Sequence, residues 1–453
     1  MATTYLTHTP NSTGNRRTWT MSVWFKISAN TESMNIMGCG GSSDQNHIQV
    51  ETDEVTVRHY NGSANDIRLN STRKIRDNNA WYHLVVRMDT TQSTEADRLR
   101  IYLNEEQLTD FDNAVYPSQN YDWDFMQNGV TQYIGRQGSA NSNHWNGLLS
   151  HFHWCDGYSY APTEFGETDA TTGEWKIKTS PSVNYGTNGF LILKDGNTIT
   201  DQSSNSNNWS LGAGTLTKTE DNPSNVFATF NPLWGTAGKT FLFGNTRYQY
   251  ANNYQRSAIT TLAASGTDKI YLEWKHGESD NSVIHLNVLN ENVAKDGRFG
   301  LDTSNNASYR LNDSNNAITF VHGTGQNGVV NKNGSAVSAT DLIQVSNTDT
   351  GMMAFDCATG KFWIGKNGTW DKSGNPSTGA NPIYTWTDTY TVQNPVWFGF
   401  GVEGGDEVSV NFGNGYIATT AVSSAGTNAS NLGIFEYDVP TGYKALCTKG
   451  LNL

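Results

Sequence analysis

The sequence predicts an all-β protein: two antiparallel β-sandwich, jelly-roll-like domains in tandem, with one short helix at most between them. Three observations predict it. Long helix-period patterns are almost absent from the 453 residues, while runs of five to eight alternating residues recur between Gly, Asn, Asp and Ser. Charged residues make up only 16%, and aromatics reach 11%, a composition that suits packed sandwiches and opposes disorder. The 44 glycines supply the many turns such a fold needs.

The elements follow in order. Thr20–Ile27, Trp81–Met88, Arg98–Leu103 and Leu148–Trp154 are strand-length runs with apolar residues at alternate positions. Asn104-Glu105-Glu106 follows the third as a turn. Ala161-Pro162-Thr163-Glu164 places proline at a first-turn position and predicts the one short helix. Asp201–Trp209 is a polar loop. Asn222-Pro223 and Asn231-Pro232 mark a boundary, because the residue before proline avoids regular helical geometry. Strand texture resumes with Lys269–Trp274 and Ser282–Val288. Gly351–Asp356 and Lys361–Ile364 form a hairpin across Cys357-Ala358-Thr359-Gly360, and Val396–Phe400 and Val408–Phe412 close the series.

Charge and composition exclude several functions. The net charge is −13, with 30 Lys and Arg against 43 Asp and Glu, and no basic cluster offers phosphates a footprint. Nucleic acid is therefore not an expected partner, nor is an anionic membrane surface. No apolar run approaches the roughly 20 residues of a membrane span. The first residues lack a basic and apolar leader, so folding in a cytosol is expected. Cys39, Cys155, Cys357 and Cys447 have no metal-binding spacing and read as buried thiols.

No G-x-S-x-G elbow and no phosphate-binding loop occurs. Two acidic groupings merit attention. Glu51-Thr52-Asp53-Glu54 departs from the E-x-D-x-E pattern of sandwich glucanases, because its last two acids are adjacent and point to opposite faces. Asp122-Trp123-Asp124 puts two acids on one side, as a polar surface loop or as oxygen ligands for a cation. His151 and His153 alternate on one strand but lack a third zinc ligand, so they and His83 read as structural. The loop aromatics are the candidate ligand contacts: Trp123 with Asp122 and Asp124, Trp145 with Asn143, then Trp370 and Trp386. Exposed rings can stack on sugar faces while Asn and Asp bond hydroxyls; the alternative is that each ring plugs a sandwich end or an interface.

The first half resembles concanavalin A-like or laminin-G-like sandwiches, in a version common in tailed-phage virion proteins. The resemblance rests on Met21–Lys26, on Trp81–Val86 leading to Asp89–Gln92, and on Asp97–Asn104. Tyr133–Arg136, Phe165–Asp169, Asn184–Phe190 and Asn225–Leu233 follow in the same order. The second half resembles a SPRY domain through Tyr271–Trp274, the hairpin Phe355–Gly368 and Val410–Gly413. Its ending, Pro440–Thr448, is similar to phage versions. The implied organisation is a lectin-like sandwich over 1–165, an extension and linker packing on it over 166–225, and a SPRY-like sandwich over 226–453. The resemblance implies a non-enzymatic virion protein (fibre, spike or decoration) that adheres to host-surface glycans. Its partners would be other virion proteins and copies of itself, a homotrimer by analogy with phage fibres. No cofactor is implied, and a calcium ion in the first domain stays open. The alternatives are an architectural capsid or tail protein without ligand, and a tail-borne glycan-degrading enzyme.

Overall fold

Alternation organises the chain as expected. In the computed structural model, which describes residues 3–28, 32–194, 198–234, 238–250, 256–277, 283–295, 317–323, 326–332, 335–337, 341–387, 395–402 and 406–451, the chain is all-β. It divides into two units, Met1–Lys218 and Thr219–Leu453.

Two antiparallel sheets build the first unit. One runs in the order Phe111–Val115, Asn65–Lys74, Glu54–Tyr60, Gln45–Glu51, Ser33–Gly40, Gln132–Ile134, Tyr5–His8, Ser210–Ala213. The other runs Phe190–Ile192, Gly147–Asp156, Thr18–Ile27, Tyr82–Asp89, Leu99–Leu103, Glu106–Leu108. The central strand Thr18–Ile27 explains the packing. Its odd positions Trp19, Met21, Val23 and Phe25 enter the main core with Ile48, Val50, Val57 and Leu69. Trp19 stacks on Trp154 with ring centroids 4.5 Å apart. Each such buried large side chain contributes about 1.5–3 kcal/mol of transfer free energy.

The even positions from Thr20 to Lys26 are buried as well, because the 158–190 region covers the opposite face. Thr20 donates to the Tyr158 carbonyl at 2.7 Å. A hairpin of Gly166–Thr168 and Trp175–Ile177 brings the Trp175 ring onto His83, which also stacks on Trp24 at 4.8 Å. A small second core of Val85, Tyr102, Cys155 and Phe165 fills the space between.

The second unit repeats the plan. One sheet runs Lys239–Leu242, Arg247–Tyr250, Glu407–Asn411, Lys269–His276, Gly351–Asp356, Lys361–Lys366, Thr369–Trp370, with Tyr384–Thr385 also paired to Lys361–Lys366. The other runs Arg256–Ile259, Val396–Val402, Val283–Asn290, Ala317–Gly323, Gln326–Lys332, Ser335–Ala336. The expected hairpin is present, with Gly351 opposite Lys366 and Asp356 opposite Lys361. Gly360 turns it at φ +66°, where a Cβ would sit 2.0 Å from the Trp386 carbonyl oxygen, so only glycine fits. Ser282, the first residue of one predicted strand, lies outside the described residues; the strand is Val283–Asn290.

Helix is confined to single turns among the described residues. Pro162–Glu164 is a 3-10 turn, and Glu95–Arg98, Glu291–Lys295 and Thr448–Leu451 are short α-helical turns. No described helix is long and apolar enough to cross a membrane. All four cysteines are buried free thiols.

Candidate functional site

The acidic tripeptide predicted as a surface feature turns its ring inward. Trp123 is fully buried in the first unit's core, between Trp19 at 5.7 Å and Phe125 at 5.1 Å. Its indole Nε1 donates to Asn46 Oδ1 at 2.6 Å, which satisfies the one polar atom that makes burying Trp costly. Trp123 is therefore not a surface stacking platform; burial of a large ring outweighs the polarity of its neighbours.

Its flanking acids part company. Asp122 is exposed and takes a bidentate pair from Arg17, at 2.8 and 3.0 Å, and that guanidinium holds its carboxyl below the usual range. Asp124 is half-buried, pairs with Arg16, and lies beside Asp44 and His59. Burial, reinforced by the Asp44 charge, pushes its carboxyl up.

Asp44, His59 and Asp124 form a group whose ligand atoms all lie within 4.8 Å of one another. Three elements assemble it. Asp44 ends the turn before Gln45–Glu51, His59 follows the inward positions Val55 and Val57 on Glu54–Tyr60, and Asp124 comes from the 121–126 loop. His59 Nε2 meets Asp44 Oδ1 at 2.8 Å. A carboxylate only accepts, so Nε2 carries a proton there. Tyr121 bonds His59 Nδ1 through its hydroxyl and reaches Asp66 Oδ2 at 3.1 Å. Asn46 donates to Asp44 at 3.2 Å, linking the group to Trp123.

A calcium ion fits this chemistry poorly. Calcium takes roughly six to eight oxygen ligands, whereas Asp122 and Asp124 each already meet an arginine. One imidazole and two carboxylates suit a zinc- or manganese-like ion, which would replace the proton on His59 Nε2 and displace Arg16 from Asp124. Without an ion, the cluster is a rim of hydrogen-bond acceptors and donors at the ends of two interior strands, Gln45–Glu51 and Glu54–Tyr60.

The other predicted contacts scatter. Trp145 is 6% exposed and packs edge-on against Phe25 at 5.6 Å; its backbone N–H donates to the Gly135 carbonyl at 2.8 Å. Asn143 takes a left-handed turn conformation at φ +50° and donates to Gln137 at 3.1 Å. Trp386 is 1% exposed in the second unit's core. Each of these two indoles fills a sandwich, so neither is a surface platform. Trp370 alone among the predicted tryptophans stays half-buried and lines a groove.

The remaining acids and histidines are structural. Glu51-Thr52-Asp53-Glu54 forms a hairpin turn, with Lys74 paired to Asp53 and Glu54. His151 bonds Ser150 and His153 bonds Tyr185, at 2.7 and 2.9 Å. Asp44 and His59 were missed because a turn aspartate carries no signal, although inward alternation on Glu54–Tyr60 marks His59.

Residues 1–164 match a laminin-G family model described as the concanavalin A-like lectin/glucanases superfamily, and this segment is a concanavalin A-like, laminin-G-type domain. No curated protein matches the chain. Among solved structures, the chain is similar to domains LG4-5 of the mouse laminin alpha1 chain, at 9% identity over 87% of this chain and 78% of that one, with TM-score 0.27. It is also similar to the SPRY domain of human HERC1, at 10% identity over 40% and 96%, TM-score 0.29. The stonustoxin structure matches at 12% identity over 41% of this chain and 27% of its own, TM-score 0.28, so the chain spans about a quarter of that structure.

Proposed function

We propose that this chain is a non-enzymatic, glycan-binding protein displayed on a tailed-phage virion, whose first sandwich adheres to host-surface carbohydrate. The observation that carries the reading is the lectin-superfamily match of residues 1–164 on a sheet whose rim gathers Asp44, His59, Tyr121 and Asp124. Hydroxyl-rich ligands need closely spaced donors and acceptors held rigidly, and this rim supplies both. The ordered resemblance to phage virion proteins supports the location. Homo-oligomerisation, as a trimer, multiplies weak single-site binding into useful avidity.

The full chain applied to an array of bacterial surface polysaccharides tests the binding. Retention of a host glycan, lost in Asp44→Ala, is the expected result; a blank array together with tight capture by capsid or tail proteins would favour the architectural alternative. Absence from purified particles would refute the virion location.

A hydrolytic reading has one observation in its favour. Asp122 is held low and Asp124 is raised, and opposite shifts in neighbouring carboxyls are what an acid and base pair needs. Against it, both groups are engaged by arginines. Release of oligosaccharides from host polysaccharide, abolished by Asp124→Asn, would establish it.

A further inference from the structure

We infer that the second unit carries its own saccharide-binding groove, built on Trp370 and Tyr437 and selective for neutral, hydroxyl-rich sugars. This inference is independent of the reading given to the first unit.

The groove encloses about 510 Å³ and is lined by Trp370, Tyr437, Glu436, Asp438, Asn375 and Thr427 among others. That volume falls in the usual range of small-ligand sites, about 300–1,000 Å³. Both rings are half-buried and rest on one small core that includes Tyr271, Trp363 and Phe435. Trp370 meets Tyr271 edge-on, with centroids 6.2 Å apart and planes at 71°. A ring backed by packed side chains loses little freedom on binding, so its open surface offers apolar area at low entropic cost.

The groove is built rather than incidental. Beneath it lies Glu273, fully buried. Its carboxylate accepts the backbone N–H groups of Glu436 and Tyr437, both at 2.8 Å, and the Tyr271 hydroxyl at 2.9 Å. One buried side chain thus fixes both the segment that carries Glu436 and Tyr437 and the ring against which Trp370 rests. Glycines admit that segment closely. A Cβ on Gly426 would lie 2.2 Å from the Tyr437 carbonyl carbon, and one on Gly368 would lie 3.0 Å from the Tyr437 ring.

The polar lining selects the ligand. Glu436 is held through Oε2 by Thr350 at 2.8 Å, with Lys275 at 3.6 Å. Asp438 is held through Oδ1 by the Thr427 N–H and hydroxyl, at 2.6 and 2.9 Å. A carboxylate has about four acceptor positions, so both can take further hydroxyl donors. Asn375 offers an amide with both donor and acceptor character, and the hydroxyls of Ser377 and Thr427 add more. Sugar hydroxyls need donors and acceptors together, whereas a lysine-rich peptide needs acceptors alone. Two carboxylates in one groove oppose sialylated or uronic ligands.

Ligand-observed NMR and calorimetry with the full chain test this, using maltotriose, lactose and N,N′-diacetylchitobiose as neutral probes, with 3′-sialyllactose and hexalysine as charged ones. The expected result is binding of at least one neutral probe, weakened about tenfold or more by Trp370→Ala and partly restored in Trp370→Phe. Glu436→Gln, which keeps the side chain's shape and an acceptor for Thr350, weakens it too. No neutral probe bound, affinity surviving both Trp370→Ala and Glu436→Gln, or tighter binding of either charged probe would overturn the inference. Should Trp370→Ala melt early, Glu436→Gln and Trp370→Phe decide.

Discussion

Acid should unfold the first unit through its buried histidines, and His83 allows the effect to be worked out. Its ring is fully buried between Trp24 and Trp175. Trp175 Nε1 can only donate, and it does so to His83 Nδ1 at 3.0 Å. The ring proton therefore sits on Nε2, facing Ser22 Oγ at 2.8 Å. A second proton would have to occupy Nδ1, against the indole N–H. Burial lowers the His83 pKa to about 3. Because this folded-state value lies below the unfolded one, the folded chain refuses a proton that the unfolded chain accepts. Stability is thus complete above about pH 6.5 and falls as pH drops towards 3. Near pH 4.5 the cost is on the order of 3 kcal/mol for this one residue, from an unfolded pKa of about 6.5. His83→Gln keeps a donor and an acceptor but cannot titrate. Its absolute stability falls, yet its loss between about pH 7.5 and 4.5 should shrink by that amount. Urea unfolding, read by hydrogen exchange across Tyr82–Asp89, isolates the first unit. An unchanged pH dependence, or an NMR titration of His83 near its ordinary value, would refute the reasoning.

Three further outcomes are expected. Trp123→Ala should destabilise the first unit by about 3–5 kcal/mol, as a core cavity does, seen as an early transition in calorimetry; a variant melting with the parent would mean the ring is not packed as described. Zinc or manganese should bind saturably with a change in aromatic fluorescence that His59→Gln removes, while calcium at equal concentration leaves the signal unmoved. Cys39, Cys155 and Cys357, whose thiols burial pushes up, should resist a thiol reagent in the native protein and react at once after denaturation.

The strands that read clearly from sequence are those whose inward positions are aliphatic or aromatic, such as Thr18–Ile27 and Gly351–Asp356. The run Ser33–Gly40, Gln45–Glu51, Glu54–Tyr60 and Asn65–Lys74 did not stand out, because its outward face carries polar side chains that bond one another. Asn35 donates to Gln49 at 3.2 Å, and Gln49 and Thr56 both donate to Glu51 at 3.2 Å. Such a face looks like loop by composition while behaving as sheet. Loop tryptophans misled for a related reason. Trp123 and Trp386 have polar neighbours in sequence, but one favourable burial outweighs several solvated flanks. The rim group and the Trp370 groove draw residues far apart in the chain, 44 with 124 and 273 with 437, and no local pattern encodes such meetings.

The strands contributed beyond residue 164 have a practical consequence. Phe190–Ile192 pairs with Gly147–Asp156, and Ser210–Ala213 pairs with Tyr5–His8, so each sheet of the first unit is finished by chain outside the family match. A fragment cut at 164 would expose two unpaired borders, each a template on which another molecule could stack its backbone. Such a fragment should assemble into ribbons or precipitate where the 1–218 piece stays dispersed, and a domain prepared by trimming to the recognised module would fail through its own seams.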